Sequence, residues 1–251
     1  MTTFIEPTFR EMVHLNEYCR RDVETERAIT YWCGDDWPEQ EYGYLRMDRA
    51  MNQRGFAIDM DLLAALNDLA DMAIDEINAE FAELTGIPKT SQLPRFKLWL
   101  AARGAYETGD KLGARDIDDL LEKDDLDPDA RRALELRSLG SKSSLAKLNV
   151  AANQQWQGRL THQFVFNGAG QTCRYSARAW QPQNIPGDAL PHSAVPLLLA
   201  RDVDALTRLY GPLGALLPRA LRLLIVAGKG NVLVGGDYSQ IESRGVAWTA
   251  R

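Results

Sequence analysis

Between Leu62 and Leu84 the apolar residues Leu62, Leu66, Leu69, Ala73, Ile77, Phe81 and Leu84 return at steps of three and four. That spacing keeps side chains on one face of an α-helix, so it predicts a long amphipathic helix, which Gly86 and then Pro88 terminate. An apolar stripe of that length needs other elements to cover it, and the chain supplies them. Helices are predicted over 92–102 and near 117–121, with an acidic connector over 122–129. Another starts with Pro128 in its first turn, Asp127 as cap, and runs to Gly140. Ser141 to Leu148 opens a further one.

The β signals are fewer. Arg54-Gly55-Phe56-Ala57-Ile58 reads as a short extended link, and 160–166 is β-rich, followed by Asn167-Gly168, a hairpin-type turn. Leu209-Tyr210-Gly211-Pro212 opens an apolar helix through Leu216, Leu217, Ala220, Leu221 and Leu224. The fold class expected is α+β, mostly helical.

Charge divides the chain. Residues 131–251 hold 15 Lys and Arg against 6 Asp and Glu, a balance of +9, whereas 1–130 hold 14 against 29, or −15. Such a split suits a chain of which one part faces phosphates, although acidic residues also cover exposed helices for solubility alone. The 45% hydrophobic content over 251 residues is enough for a sizeable core. No apolar run approaches a membrane span, and the start has no basic region leading into an apolar stretch, so neither membrane insertion nor a signal peptide is expected. Cys19, Cys33 and Cys173 lack CxxC spacing, which fits reduced thiols in a cytoplasm and offers no zinc site. His14, His162 and His192 are scattered.

The run from Val232 to Arg244 carries the chemistry. Val232-Leu233-Val234, bounded by Gly230 and by Gly235-Gly236, reads as a core strand that lifts Asp237 to its exit. A carboxylate there either ends the strand or offers hard oxygen to a divalent cation such as Mg²⁺. Beyond it a helix follows, with Ser239 as N-cap and Glu242 in capping-box spacing.

Asp237-Tyr238-Ser239-Gln240-Ile241-Glu242, followed by Arg244, resembles motif A of the family A, bacterial polymerase I-like, DNA polymerases, and a phage-type member in particular. The resemblance implies that Asp237 is one of two aspartates holding a catalytic Mg²⁺ pair and that the Tyr238 carbonyl is a further ligand. Gln240, Ile241 and Glu242 would line the nucleotide pocket, with Glu242 filling the space a ribose 2′-hydroxyl needs. Ser243 stands where the family usually has Leu.

A second block, from Gly170 to Pro186, is similar to the family segment that runs Thr-Gly-Arg, then Ser, then Gln-Asn-Ile-Pro. Guanidinium and amide groups with an aromatic between them also suit contacts to phosphates and base edges. By the resemblance, Arg174, Gln183 and Asn184 contact primer-template DNA; Arg178 joins them or is ordinary surface charge. Cys173 replaces the usual glycine. Arg222 lies where the family segment before motif A has an arginine, and reads either as a phosphate contact or as a snorkelling helix residue. Lys142, Ser143, Ser144 and Lys147 open a helix of the kind that forms the tip of the family's thumb, and read as phosphate contacts or as a solvated helix face. Tyr18 and Asp22 fit the Tyr-x-x-x-Asp of a proofreading exonuclease; with so few residues before them, they are expected to be a vestige without nuclease activity.

The organisation implied is an exonuclease remnant over 1–40, a helical thumb over 41–157 and the first part of an antiparallel-sheet palm over 158–251. The expected function is DNA-directed DNA polymerisation from deoxynucleoside triphosphates, in a bacterial host cytoplasm if phage-encoded. The family also needs a fingers helix and a His-Asp-Glu turn with the second metal-binding carboxylate. Neither follows Arg251, so the chain by itself is expected to polymerise weakly or not at all. The alternatives are a noncatalytic DNA-binding remnant, one half of a split enzyme completed by a separate C-terminal fragment, or a helical scaffold with a chance motif.

Overall fold

The computed structural model describes residues 7–34, 37–107, 111–140, 143–228, 230–237 and 239–250, for 143–145 the backbone alone. The chain falls into two units, Met1–Met51 and Asn52–Arg251.

The first unit is dominated by α1 (Phe9–Cys33). Thr8 and Glu11 close a capping box at its start, so two orphan N–H groups are satisfied reciprocally. None of its residues is buried. A second helix, α2 (Glu39–Arg54), carries the chain across the division.

In the second unit, β1 (Phe56–Ile58) leads into α3 (Met60–Thr85), the helix that the periodicity predicts. Asp59 caps it by accepting from the Leu62 N–H at 2.9 Å, and Gly86 ends it in the left-handed region at φ 70°. The acidic 114–129 stretch gives α5 (Ala114–Leu121), after α4 (Leu93–Ala101). Next come α6 (Pro128–Gly140), capped by Asp127, and α7 (Ser143–Gln154). Further on lie α8 (Val195–Ala200), α9 (Val203–Tyr210), α10 (Leu213–Ala220) and α11 (Ile241–Thr249).

α3 packs against α6, α7, α8 and α10, and its buried stripe enters two cores. Leu62, Leu66 and Leu69 meet Leu148, Leu160, Trp180, Leu198, Leu216 and Leu224 in one. Ile77 and Phe81 meet Phe96, Leu100, Ile117 and Leu134 in the other. Among the described residues no helix is long and apolar enough to cross a membrane.

Two small antiparallel sheets complete the α+β fold. In the first, β1 lies between β2 (Arg159–Leu160) and β5 (Ile225–Val226), with Phe56 opposite Leu160 and Ile58 opposite Ile225. Thus residues near 57, 160 and 225 are stitched together. Gly55 permits this, because a Cβ there would collide with the Leu160 carbonyl. In the second, β3 (Phe164–Ala169) pairs with β4 (Arg174–Ala177).

Two local expectations are corrected. Asn167-Gly168 is not the hairpin turn; it sits inside β3, where residues 166–168 face Tyr175 alone, and Asn167 takes φ 53°. Gly168 is required at this bulge because a side chain would strike Ser176, and the turn falls later, closed by Cys173 N–H donating to the Ala169 carbonyl at 2.8 Å. Val232-Leu233-Val234 is not a core strand either: it has no ladder partner among the described residues, and Val232 and Val234 are 82% and 91% exposed. The ladder ends at Val226, and an Asn231 N–H to Gly228 carbonyl bond turns the chain away from the sheet.

Candidate nucleic-acid interface

α7 brings Lys147 to the interior rather than to a solvated face. Lys147 and Ala151, one turn apart, share the buried stripe of that helix, and the lysine is 8% exposed. Its ammonium donates to the Trp180 carbonyl at 2.6 Å and to the Gln181 carbonyl at 3.3 Å. Burial lowers its pKa below the ordinary lysine value, since the charged form is desolvated. Lys147 is therefore not a phosphate contact in this structure. Lys142 lies outside the described residues, as do the side chains of Ser143 and Ser144.

Trp180 is the pivot of the segment that Lys147 grips. It is fully buried, with its ring 5.4 Å from that of Phe56. The buried Gln163 side-chain oxygen accepts from the Trp180 N–H at 3.1 Å. Residues on both sides, Ala179 at φ 55° and Gln181 at φ 50°, are held in the left-handed region that non-glycine residues rarely occupy. From Gln181 the chain makes a single 3₁₀ turn, Pro182–Asn184, which exposes Gln183 and Asn184. Asn184 donates to the Gln181 side-chain oxygen at 2.8 Å. Arg222 is exposed and donates to the Ile185 carbonyl at 3.3 Å, so it braces the end of the turn.

The β3–β4 hairpin presents Arg174, with Arg178 just beyond its last strand; both are exposed. Between them Tyr175 meets Phe166 edge to face at 5.5 Å, and both rings are partly open to solvent. Such a pairing of guanidinium groups with aromatic faces can take phosphates and stacked bases.

Arg174 is ion-paired with Glu242 of α11. This contact brings the two motif-bearing segments together. Glu242 is thus no helix cap, and Ser239 is not the N-cap; Gln240 occupies that position at φ 55° with no side-chain cap bond. Ile241 is exposed. Asp237 stands exposed after Gly235 and Gly236, with no hydrogen bond or ion pair among the described residues, and Tyr238 lies outside them. No three His, Cys, Asp or Glu side chains converge as a metal cluster among the described residues. Tyr18, 61% exposed, and Asp22 lie one turn apart on α1 of the first unit.

Sequence reasoning missed Gln163, Trp180 and the inward turn of Lys147. The signal available was the placement of Lys147 on the stripe of Leu148 and Ala151, which marks a buried amine rather than a surface one.

Over 237 residues the chain is 31% identical to the DNA polymerase of Bacillus phage SP02, a match that takes in 93% of this chain and 36% of the phage protein. The chain thus spans about a third of the length of the curated relative it matches. No protein-family profile matches the chain. No solved structure matches it.

Proposed function

We propose that this chain is an N-terminal and central portion of a family A, bacterial polymerase I-like, DNA polymerase, adding deoxynucleotides to a primer 3′ end on a DNA template. The observation that carries the reading is the similarity to the phage DNA polymerase along nearly the whole chain. The Arg174–Glu242 pair supports it, because it joins the two segments whose residues bear the resemblance.

In this reading residues 1–40, with Tyr18 and Asp22, correspond to the C-terminal end of an exonuclease domain, 41–157 to a thumb region and 158–251 to the first part of a palm. Arg174, Arg178, Gln183 and Asn184 face the primer-template. Gln240, Ile241 and Glu242 border the incoming deoxynucleoside triphosphate, and Glu242 excludes a 2′-hydroxyl. The exposed Asp237 carboxylate, following two glycines, is a hard oxygen donor of the kind Mg²⁺ takes, and the Tyr238 carbonyl is its proposed companion. Bound magnesium supplies positive charge at the reacting phosphate. One carboxylate fits half of a two-metal site, so the second comes from polypeptide corresponding to the remaining length of the phage relative. The setting proposed is the cytoplasm of a bacterial host.

A second reading, a DNA-binding portion without catalysis of its own, is favoured by the chain's matching only 36% of the phage DNA polymerase. Complementation separates the two. Mixing the chain with a polypeptide that carries a family A fingers helix and second palm carboxylate should give primer extension that Asp237→Asn abolishes. Absence of extension, with salt-sensitive primer-template binding retained, favours the noncatalytic reading; loss of both refutes the polymerase reading.

A further inference from the structure

We infer that Lys147 and Gln163 are positioning residues that clamp the backbone of Trp180 from its two sides and thereby set the Gln181–Asn184 turn for nucleic acid. The inference rests on the proposed polymerase reading only in naming DNA as what the turn meets.

Trp180 has its N–H held by the Gln163 side chain at 3.1 Å and its carbonyl held by Lys147 at 2.6 Å. Both partners are buried side chains, Gln163 4% exposed in the link before β3 and Lys147 8% exposed on α7. Gln163 is itself fixed: its amide donates to the Thr161 carbonyl at 3.0 Å, and its own carbonyl accepts from the Arg178 N–H at 2.8 Å. The clamp therefore takes hold at Trp180, two residues after Arg178, and reaches the Gln181 carbonyl, 3.3 Å from the lysine.

The clamped bond lies between two left-handed non-glycine residues, Ala179 and Gln181. Backbone of that kind persists only where its surroundings over-determine it, and relaxes to extended or right-handed conformations when they do not. Rotation at Gln181 swings everything after it. Gln183 and Asn184, the exposed amides suited to base edges, are two and three residues on, and the side-chain bond from Asn184 to Gln181 moves with them. Lys147 thus spends a buried cation on two backbone carbonyls, a use that serves orientation of the turn and not phosphate binding. A charge so placed is costly to bury and is compensated only while both carbonyls stay aimed at it, so the turn has one favoured setting.

The test compares Lys147→Met, Lys147→Arg and Arg178→Gln in the full chain by two readouts. Hydrogen exchange of peptides covering 178–186 reports the turn without any ligand. Affinity for primer-template DNA across a salt series reports its use. Lys147→Met is expected to accelerate exchange in 178–186 and to weaken DNA binding about tenfold, with the slope of log affinity against log salt unchanged, because no counterion-releasing contact is lost. Lys147→Arg, which keeps the cation and its donors, recovers part of the protection. Arg178→Gln lowers the salt slope by about 0.9, as a lost phosphate contact does. Should Lys147→Met fail to fold by circular dichroism, Gln163→Met releases the opposite side of Trp180 and carries the same expectation. Unchanged exchange in 178–186, or a salt slope reduced by about one in Lys147→Met, overturns the inference. If the unaltered chain binds no DNA at any salt, the polymerase reading fails, while the exchange comparison still decides whether the clamp exists.

Discussion

Arg174 and Glu242, 68 positions apart in sequence, are ion-paired across the gap between the β3–β4 hairpin and α11. Both side chains stay largely in water, 59% and 77% exposed. Such a pair contributes little to stability and is readily exchanged for a better anion. A DNA phosphate is one, so in the unliganded chain Glu242 occupies the guanidinium that DNA is proposed to use.

Removing that competitor should tighten binding. Glu242→Gln is expected to raise primer-template affinity by at most about fivefold, the ceiling set by an exposed pair worth less than about 1 kcal/mol. Fluorescence anisotropy at low salt measures it. Weaker binding in Glu242→Gln would place Arg174 away from the DNA.

Trp180 gives a stability prediction. Its ring fills the core beside Phe56, yet its indole N–H is buried without an acceptor among the described residues. Trp180→Phe keeps an aromatic ring and removes the orphan donor, so it should cost less than about 1.5 kcal/mol. Trp180→Ala should cost about 3–5 kcal/mol. Urea unfolding followed by circular dichroism compares the two, and equal losses would mean that the indole nitrogen has a partner after all.

Acid should fray the start of α1. The Thr8 side-chain and backbone donors hold the Glu11 carboxyl below its ordinary value of 4.5. The folded helix therefore binds this proton less readily than the unfolded chain does. The capping contribution is fully present above pH 4.5 and is lost as pH falls through the lowered value. Protection factors of the Thr8 and Glu11 amides, taken against the intrinsic exchange rate at each pH, should fall in that window, and Glu11→Gln should abolish the pH response.

The helical frame was legible because α3 writes its burial into its own period, and Asp127 and Gly86 mark helix ends by local bonding. Such signals need only neighbouring residues. The misread places depend on distant partners. Val232-Leu233-Val234 has the composition of a core strand, but a strand is buried by what pairs with it, and here the ladder stops at Val226. Asn167-Gly168 has turn chemistry, but the register from Ala169 to Arg174 absorbs it as a bulge. Lys147 shares the stripe of Leu148 and Ala151, which signals burial, but the carbonyl that receives its ammonium belongs to Trp180, 33 positions away, and has no local signature. Of the motif residues, Arg174, Gln183 and Asn184 lie exposed as their composition suggests, whereas the juxtaposition of Arg174 with Glu242 joins segments far apart in sequence and has no local signature.

α3 lends Leu62, Leu66 and Leu69 to one cluster of buried side chains and Ile77 and Phe81 to the other. A single rigid rod is thus the shared wall of both rooms. Heat or denaturant that strips one side of the rod exposes the stripe on which the opposite side depends, so the larger unit comes apart in one concerted step and not in two.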